Sequence, residues 1–127
     1  MQNLPFKFML SKINRSDRKD IKQIFEFGRF VNSQNLTLKF ILEKTKNKKV
    51  SFIVPKTVSK KAIIRNLLRR RGYAILRKYF SRIPVGFKGV FLFGKKSVNA
   101  FWGRKTKTFN PILNLENEIK NLLHKIN

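Results

Sequence analysis

A long interval of this chain carries basic residues and no acidic ones. Between residues 44 and 115 there are twenty Lys or Arg and not one Asp or Glu. Repulsion among so many like charges destabilises a compact state unless a partner supplies negative charge. With a formal charge of +24 over 127 residues, the chain is predicted to bind a polyanion. We place nucleic acid ahead of an anionic membrane surface as that partner.

The same interval argues against several kinds of chemistry. It contains no carboxylate that could hold a metal ion through oxygen or act as a general base. The chain has no Cys and only one His, His124, which lies near its C-terminal end. A thiolate zinc site, a disulfide framework and a Cys–His catalytic pair are therefore not expected. Its glycines match no phosphate-binding loop. We expect no catalytic residue, no metal site and no small-molecule substrate in this chain.

Length and composition predict one folded unit. The hydrophobic fraction is 42%, with thirteen Phe, which indicates a folded body rather than a disordered tail. We predict a single RNA-binding domain over residues 1–127, with a basic arm at 1–15 and an α+β body at 16–127. Without a long apolar run or a signal-peptide pattern, no membrane span is expected, and a cytoplasmic location is predicted.

Three segments have the apolar spacing of helices. The first is framed by Ser16 as a polar N-cap and by Gly28 as a stop, and the second has Ser59 as its expected N-cap. The predicted helices cover residues 17–27, 59–80 and 112–126.

Three segments have the alternating apolar pattern of strands, and a fourth, shorter segment lies ahead of them in the chain. They are residues 30–32, 36–42, 49–54 and 87–93. The polar residues 43–48 predict a hairpin between the second and third strands, and residues 94–111 are expected to form a loop. The order is α-β-β-β-α-β-α, which predicts an α+β fold with a small mixed sheet of about four strands packed with three helices.

The second helix combines an apolar side with a strongly basic one. From Lys56 to Lys78 the chain has nine Lys or Arg and no acid. At 100° per residue, the apolar arc contains Ile64, Leu67, Leu68, Ile75 and Tyr79. The opposite arc contains Arg65, Asn66, Arg69, Arg70, Tyr73 and Arg77. We expect the first arc to pack on a core and the second to bind phosphates through its guanidinium groups.

A second RNA-binding surface is predicted on the sheet. Lys39, Phe52 and Lys56 combine aromatic and basic character on or beside strands. Such residues can hold a single strand by base stacking and backbone contact.

Two motifs in the chain resemble those of the bacterial ribonuclease P protein subunit. Residues 50–70, VSFIVPKTVSKKAIIRNLLRR, are similar to the family pattern V-G-x-S-V-S-K-K-V-x-K-A-V-x-R-N-R-x-K-R. Residues 20–28, DIKQIFEFG, resemble its D-F-x-x-V-F-x-x-G. Leu67 stands where the third residue of the family's Arg-Asn-Arg core is usually Arg, and Ile21 stands where the first helix usually has Phe. The element order agrees over about residues 9–93, and the last helix agrees by position.

The resemblance implies an enzyme whose catalyst is RNA. In that family a ribonucleoprotein endoribonuclease removes the 5′ leader of precursor tRNA, and the RNA subunit performs the hydrolysis with Mg²⁺ held mainly by RNA. The protein binds the RNA subunit through its basic motif helix and holds the leader in a cleft between the first helix and the sheet. The implied partners are ribonuclease P RNA and precursor tRNA. The family also implies a left-handed βαβ crossover.

Residue by residue, the motif and its basic neighbours give two predicted sites. The predicted RNA-subunit-binding residues are Lys60, Lys61, Arg65, Asn66, Arg69, Arg70 and Arg77. The predicted leader-binding residues are Ile21, Phe25, Lys39, Phe52 and Lys56. Composition alone also allows a ribosomal or other structural RNA-binding protein without a role in cleavage. A protein-only nuclease is a third hypothesis, and it needs carboxylates that the middle of the chain lacks.

Overall fold

A computed structural model describes residues 15–126. Its main elements are α1 Arg18–Phe27, β1 Arg29–Asn32, β2 Leu36–Leu42, β3 Lys49–Ile53, α2 Ala62–Tyr79, β4 Phe87–Phe93, α3 Ser97–Phe101 and α4 Pro111–Ile126. The predicted α+β class and the four strands are confirmed. The short helix α3 lies in the segment that was expected to be a loop. The predicted basic arm, residues 1–15, falls outside the described residues except at its last position.

The sheet order is β1-β2-β4-β3, which makes the predicted hairpin of β2 and β3 wrong. β4 lies between these two strands, antiparallel to β2 and parallel to β3. The register places Phe91 between Leu38 and Phe52, so the insertion of β4 puts a large apolar side chain in the middle of the sheet. α2 connects the parallel neighbours β3 and β4 as a βαβ unit, and the left hand of this crossover stays a prediction.

One face of the sheet forms the core with α2 and α4. The Phe52 ring stacks on Phe91 with 4.8 Å between centroids, and the Tyr73 ring meets its edge at 5.0 Å. Only 3% of Phe52 is exposed. The prediction that Phe52 binds the leader is therefore wrong, because its ring is enclosed between the sheet and α2 and has no free face for a base.

The buried side of α2 differs from the predicted apolar arc. It consists of Leu68, Gly72, Tyr73, Ile75 and Leu76. Tyr73, which was placed on the RNA-facing arc, is 4% exposed, and its hydroxyl accepts a hydrogen bond of 3.2 Å from the Phe52 backbone N–H. The edge strand β3 thus obtains a partner for a backbone donor that would otherwise lack one. Leu67, expected in the core, is only half-buried.

Both helix starts differ from the predicted caps. Asp17, rather than Ser16, is the N-cap of α1, and it forms a reciprocal capping box with Asp20. The Ser16 backbone N–H instead donates to the Ser51 hydroxyl at 2.9 Å. α2 begins one residue after Lys61, and the Ser59 hydroxyl accepts from the Lys61 N–H at 3.2 Å, ahead of the helix.

The other face of the sheet is covered in part by α1, which contacts β2 and β4. Of the apolar residues predicted for its inner side, Ile24 is fully buried, Ile21 is half-buried and Phe25 is 43% exposed. This second face is therefore only partly closed. Within residues 15–126, no helix combines the length and the apolar character needed to cross a membrane.

The close approach of α2 to the sheet gives a stability prediction. A Cβ on Gly72 would lie 2.6 Å from the Phe52 ring, which is fixed by its stack on Phe91. We expect Gly72→Ala to lower the free energy of unfolding by about 1–3 kcal/mol through overpacking, although Ala is the better helix former. Urea denaturation followed by circular dichroism measures this change.

The matched control is Ala74→Gly, two residues away on the half-exposed side of the same helix. It should cost only the helix propensity of about 1 kcal/mol. An increase in stability for Gly72→Ala would contradict the close packing described above.

Candidate nucleic-acid interface

The open part of the second sheet face carries a lysine with two exposed aromatic residues near it. Phe30 of β1 is directly opposite Lys39 of β2 in the antiparallel register, so their side chains share this face. The Lys39 Nζ lies 5.0 Å from the centroid of the Phe25 ring on α1. Phe25 and Phe30 are 43% and 60% exposed. We call Phe25, Phe30 and Lys39 the cleft cluster.

The cleft cluster has the chemistry of a single-strand binding site. Exposed aromatic faces stack with bases of any sequence, and a nearby ammonium group attracts the backbone phosphates. The sequence prediction included Phe25 and Lys39 but missed Phe30. The position of Phe30 on this face follows from the register in which β1 pairs with β2. A strand of four residues does not specify that register by its own sequence pattern, so Phe30 could not be identified from the sequence.

An ion network centred on the buried Asp20 holds α1 against the sheet beside this cluster. The Lys88 ammonium lies 2.9 Å from an Asp20 carboxylate oxygen and 2.8 Å from a Glu43 carboxylate oxygen. Lys49 reaches the second Asp20 oxygen at 3.4 Å, and the Asp17 backbone N–H donates to that oxygen at 3.1 Å. Both lysines point to the same face as the cleft cluster, but their charges are matched by carboxylates. Lys39, by contrast, faces aromatic rings.

The network shifts the pKa values of its members in the directions that its geometry requires. Burial of Asp20 by itself raises the pKa, but hydrogen bonds from Lys88, from the Asp17 backbone and from Lys49 more than offset that effect. Together they lower the pKa of Asp20 from 3.8 to about 2. The pKa of Lys88 is raised, because Glu43 and then Asp20 accept hydrogen bonds from its ammonium group.

The basic side of α2 forms the second surface. Of the predicted RNA-subunit-binding residues, five are exposed: Lys60, Lys61, Asn66, Arg70 and Arg77. Arg65 and Arg69 are half-buried. This surface faces away from the core, as the sequence predicted, even though the helix is rotated relative to the predicted arcs.

Two of the guanidinium groups also organise the surface itself. Arg65 donates to the backbone oxygens of Ser59 and Lys60, at 2.9 and 3.0 Å, and thereby fixes the passage into α2. Arg69 donates to the Asn66 side-chain oxygen at 2.6 Å. Because a guanidinium group has five N–H donors, each arginine keeps donors for an anion after making these bonds.

A cavity at the edge of β3 is lined by residues from β3, from α2 and from the start of α1. It has a volume of about 400 Å³ and is lined by Arg15, Ser16, Asp17, Ser51 and Tyr73. The Arg15 guanidinium lies 6.0 Å from the centroid of the Tyr73 ring. The sequence prediction assigned Arg15 to the arm, whereas the structure places it just before α1 with its guanidinium group near Tyr73 of α2.

The predicted leader-binding residues are spread across the sheet. Ile21 and Phe25 lie on successive turns of α1, and Lys39 lies under Phe25. Lys56 is exposed in the passage after β3, two strands away from β2, a separation of about 10 Å at the usual strand spacing. Within the described residues 15–126, no three His, Asp or Glu side chains come together as a group that could hold a metal ion.

Comparison with known proteins points to one family. The family model described as Ribonuclease P matches residues 12–126. The Ribonuclease P protein component of Microcystis aeruginosa is 27% identical over 88 residues, which cover 65% of this chain and 73% of that protein.

Solved structures give the same fold. The RNase P protein from Thermotoga maritima superposes with a TM-score of 0.75 at 24% identity, over 89% of this chain and 97% of that chain. The Staphylococcus aureus RNase P protein superposes with a TM-score of 0.73 at 16% identity, over 91% and 96% of the two chains.

The ion network gives a prediction of acid stability. Because the pKa of Asp20 is lower in the folded state than in the unfolded state, ionised Asp20 stabilises the fold at pH values above about 3.8. This stability is lost as the pH falls towards 2. The shift corresponds to about 2 kcal/mol at neutral pH. We expect Asp20→Asn to lower the free energy of unfolding at pH 7 by about that amount and to flatten its dependence on pH between these values.

Asp17→Asn is the control for this prediction. It also removes one carboxylate from the N-terminal end of α1, but Asn is as good an N-cap as Asp, so the change should be a few tenths of a kcal/mol. Denaturant titrations at several pH values measure both variants. Equal losses in the two would show that the Lys88 and Lys49 contacts are not the stabilising ones.

Proposed function

The chain belongs to the bacterial ribonuclease P protein family, as a protein component of the tRNA-processing ribonucleoprotein endoribonuclease, and we propose that it serves this enzyme through two separate RNA-binding surfaces. The basic side of α2 binds ribonuclease P RNA, and the cleft cluster with its neighbours binds the 5′ leader of precursor tRNA. The family match favours this function over a ribosomal or other structural RNA-binding role.

The proposal for α2 is supported by its unopposed charge. The exposed Lys60, Lys61, Arg70 and Arg77 face solvent in an interval without carboxylates. Phosphate contacts by such residues supply affinity and register without reading sequence. Arg65, Asn66 and Arg69 complete the surface. The bonds from Arg65 to the Ser59 and Lys60 backbone oxygens and from Arg69 to the Asn66 side chain hold these side chains in place before RNA binds.

The proposal for the leader is supported by the cleft cluster, and this arrangement carries the functional assignment. Phe25 contacts the Lys39 ammonium group and Phe30 is the cross-strand neighbour of Lys39, and both aromatic side chains are exposed. The Lys39 charge has no carboxylate beside it in the described contacts. Ile21 adds an apolar contact on α1, and Lys56 provides a phosphate contact farther along the sheet. Phe30 takes the place that sequence reasoning gave to Phe52.

In this proposal the RNA subunit performs the hydrolysis and the chain contributes no catalytic residue. The chain is a poor host for the Mg²⁺ that the family implies, because residues 44–115 contain no carboxylate and Mg²⁺ prefers oxygen ligands. We therefore assign Mg²⁺ to RNA oxygens. We also propose that the chain acts as a single RNA-binding domain in the cytoplasm, with precursor tRNA as its substrate partner.

The leader assignment predicts a selective loss of affinity. Stacking of one base on an aromatic ring is worth about 1–3 kcal/mol, which is roughly a 5- to 150-fold change in Kd. Phe25→Ala and Phe30→Ala should each weaken binding of precursor tRNA to the holoenzyme by a factor in this range. Binding of mature tRNA, which lacks the leader, should not change. Gel-shift or fluorescence titration with the two RNAs measures this ratio.

Phe27→Ala is the matched control, because Phe27 is on the opposite side of α1 and is 75% exposed. It removes the same side chain from the same helix without touching the cleft cluster. The leader assignment fails if precursor and mature tRNA lose affinity equally, or if Phe27→Ala has the effect of Phe25→Ala.

A further inference from the structure

A basic turn follows α3 and is not explained by either proposed surface. Residues 103–108 are all exposed and include Arg104, Lys105 and Lys107 without any acid. Gly103 has a φ of 112°, and the Thr106 N–H donates to the Phe109 oxygen at 2.7 Å, so the turn has a defined closure. We call residues 102–108 the tryptophan turn, after Trp102 at its start.

α2 holds the base of this turn in place. Arg71 of α2 donates a hydrogen bond of 3.0 Å to the Phe101 backbone oxygen. Its guanidinium group also lies 5.6 Å from the centroid of the Trp102 ring. Phe101 is fully buried and meets Phe93 of β4 edge-on at 5.9 Å. The tryptophan turn is therefore fixed to both α2 and the sheet at its first residues, although its charged tip is in solvent.

The turn continues the basic surface of α2. An open cavity of about 290 Å³ on α2 is lined by Leu67, Arg70, Arg71 and Ala74. Arg70 belongs to the proposed RNA-binding surface, whereas Arg71 on the same cavity contacts Trp102. The cavity thus joins the two features, with Leu67 between two arginines.

Chain topology explains why the two features come together. β3 and β4 are parallel neighbours, so the segments that follow them leave the sheet at the same end. One of these segments leads into α2, and the other leads through α3 into the tryptophan turn. The polar turn at residues 43–48 precedes β3 and lies at the opposite end of the sheet.

We propose that the tryptophan turn is a second contact for ribonuclease P RNA, which extends the α2 surface across the Leu67 cavity. Arg104, Lys105 and Lys107 bind phosphates of the RNA subunit. The RNA strand that runs from these residues to Arg70 passes over the apolar floor of the cavity. The inference rests on the proposed use of α2 for the RNA subunit. It accounts for Leu67 in the motif helix, because the turn supplies positive charge in place of the one Arg that Leu67 replaces.

Matched lysine pairs at the two ends of the sheet test this proposal. Lys105→Ala with Lys107→Ala removes two exposed charges from the tryptophan turn, and Lys44→Ala with Lys46→Ala removes two exposed charges from the distant turn. The spacing and the loss of charge are the same. The measurement is the Kd of the full chain for its cognate ribonuclease P RNA, transcribed in vitro, as a function of salt concentration.

We expect the first pair to weaken binding roughly tenfold or more at 0.1 M salt and to reduce the slope of log K against log salt by about 1.5, because each lost phosphate contact removes about 0.7–0.9. The second pair should leave the slope nearly unchanged. Equal effects of the two pairs, or no effect of either, would overturn the proposal. Weaker binding of precursor tRNA with unchanged RNA-subunit binding would also overturn it.

A third variant separates failure of this inference from failure of the α2 assignment. Arg70→Ala changes α2 alone. If it weakens RNA-subunit binding and the Lys105 and Lys107 pair does not, the tryptophan turn is not a contact and the α2 assignment stands. If neither change weakens binding, both assignments fail.

Discussion

The Asp20 carboxylate lies between Lys88 and Lys49 and links the first turn of α1 to two strands of the sheet. Glu43 adds a second negative charge on Lys88. Two carboxylates thus neutralise two lysines at the point where α1 meets the sheet. Without this balance, α1 would have to pack against unmatched positive charge, and the cleft beside Lys39 would lose one of its walls. Burial alone would raise the pKa of Asp20, but the surrounding hydrogen-bond donors lower it.

The carboxylates near the end of the chain act in the same way. Glu118 of α4 accepts from the Ser33 hydroxyl at 2.5 Å and from the backbone and side-chain nitrogens of Asn35 at 2.7 and 2.8 Å, which fixes the turn between β1 and β2. Glu116 accepts from the Tyr79 hydroxyl and pairs with Lys78 at the end of α2. Asp20, Glu43, Glu116 and Glu118 therefore join secondary structure elements, and the exposed basic side of α2 keeps a positive field.

The sequence predicted the local elements well because hydrophobic periodicity is a local signal. Periodicity could not predict the strand order, because the position of β4 between β2 and β3 depends on pairing between distant segments. Phe52 and Tyr73 were misassigned for a related reason. An aromatic residue on a strand or on a basic helix has the same sequence spacing whether its ring faces RNA or another ring. Only the close packing at Gly72 shows that Phe52 and Tyr73 pack against each other. Phe30 was missed because its position beside Lys39 depends on the pairing of β1 with β2.

We infer that this basic chain assists a catalytic RNA and does not cleave RNA by itself. The most direct measurement is cleavage of a 5′-labelled precursor tRNA at a Mg²⁺ concentration too low for ribonuclease P RNA to act efficiently alone. We expect no cleavage by the purified chain, little by the RNA, and efficient release of the intact leader when the two are combined. Cleavage by the RNA-free chain, or no stimulation of its cognate RNA, would contradict it.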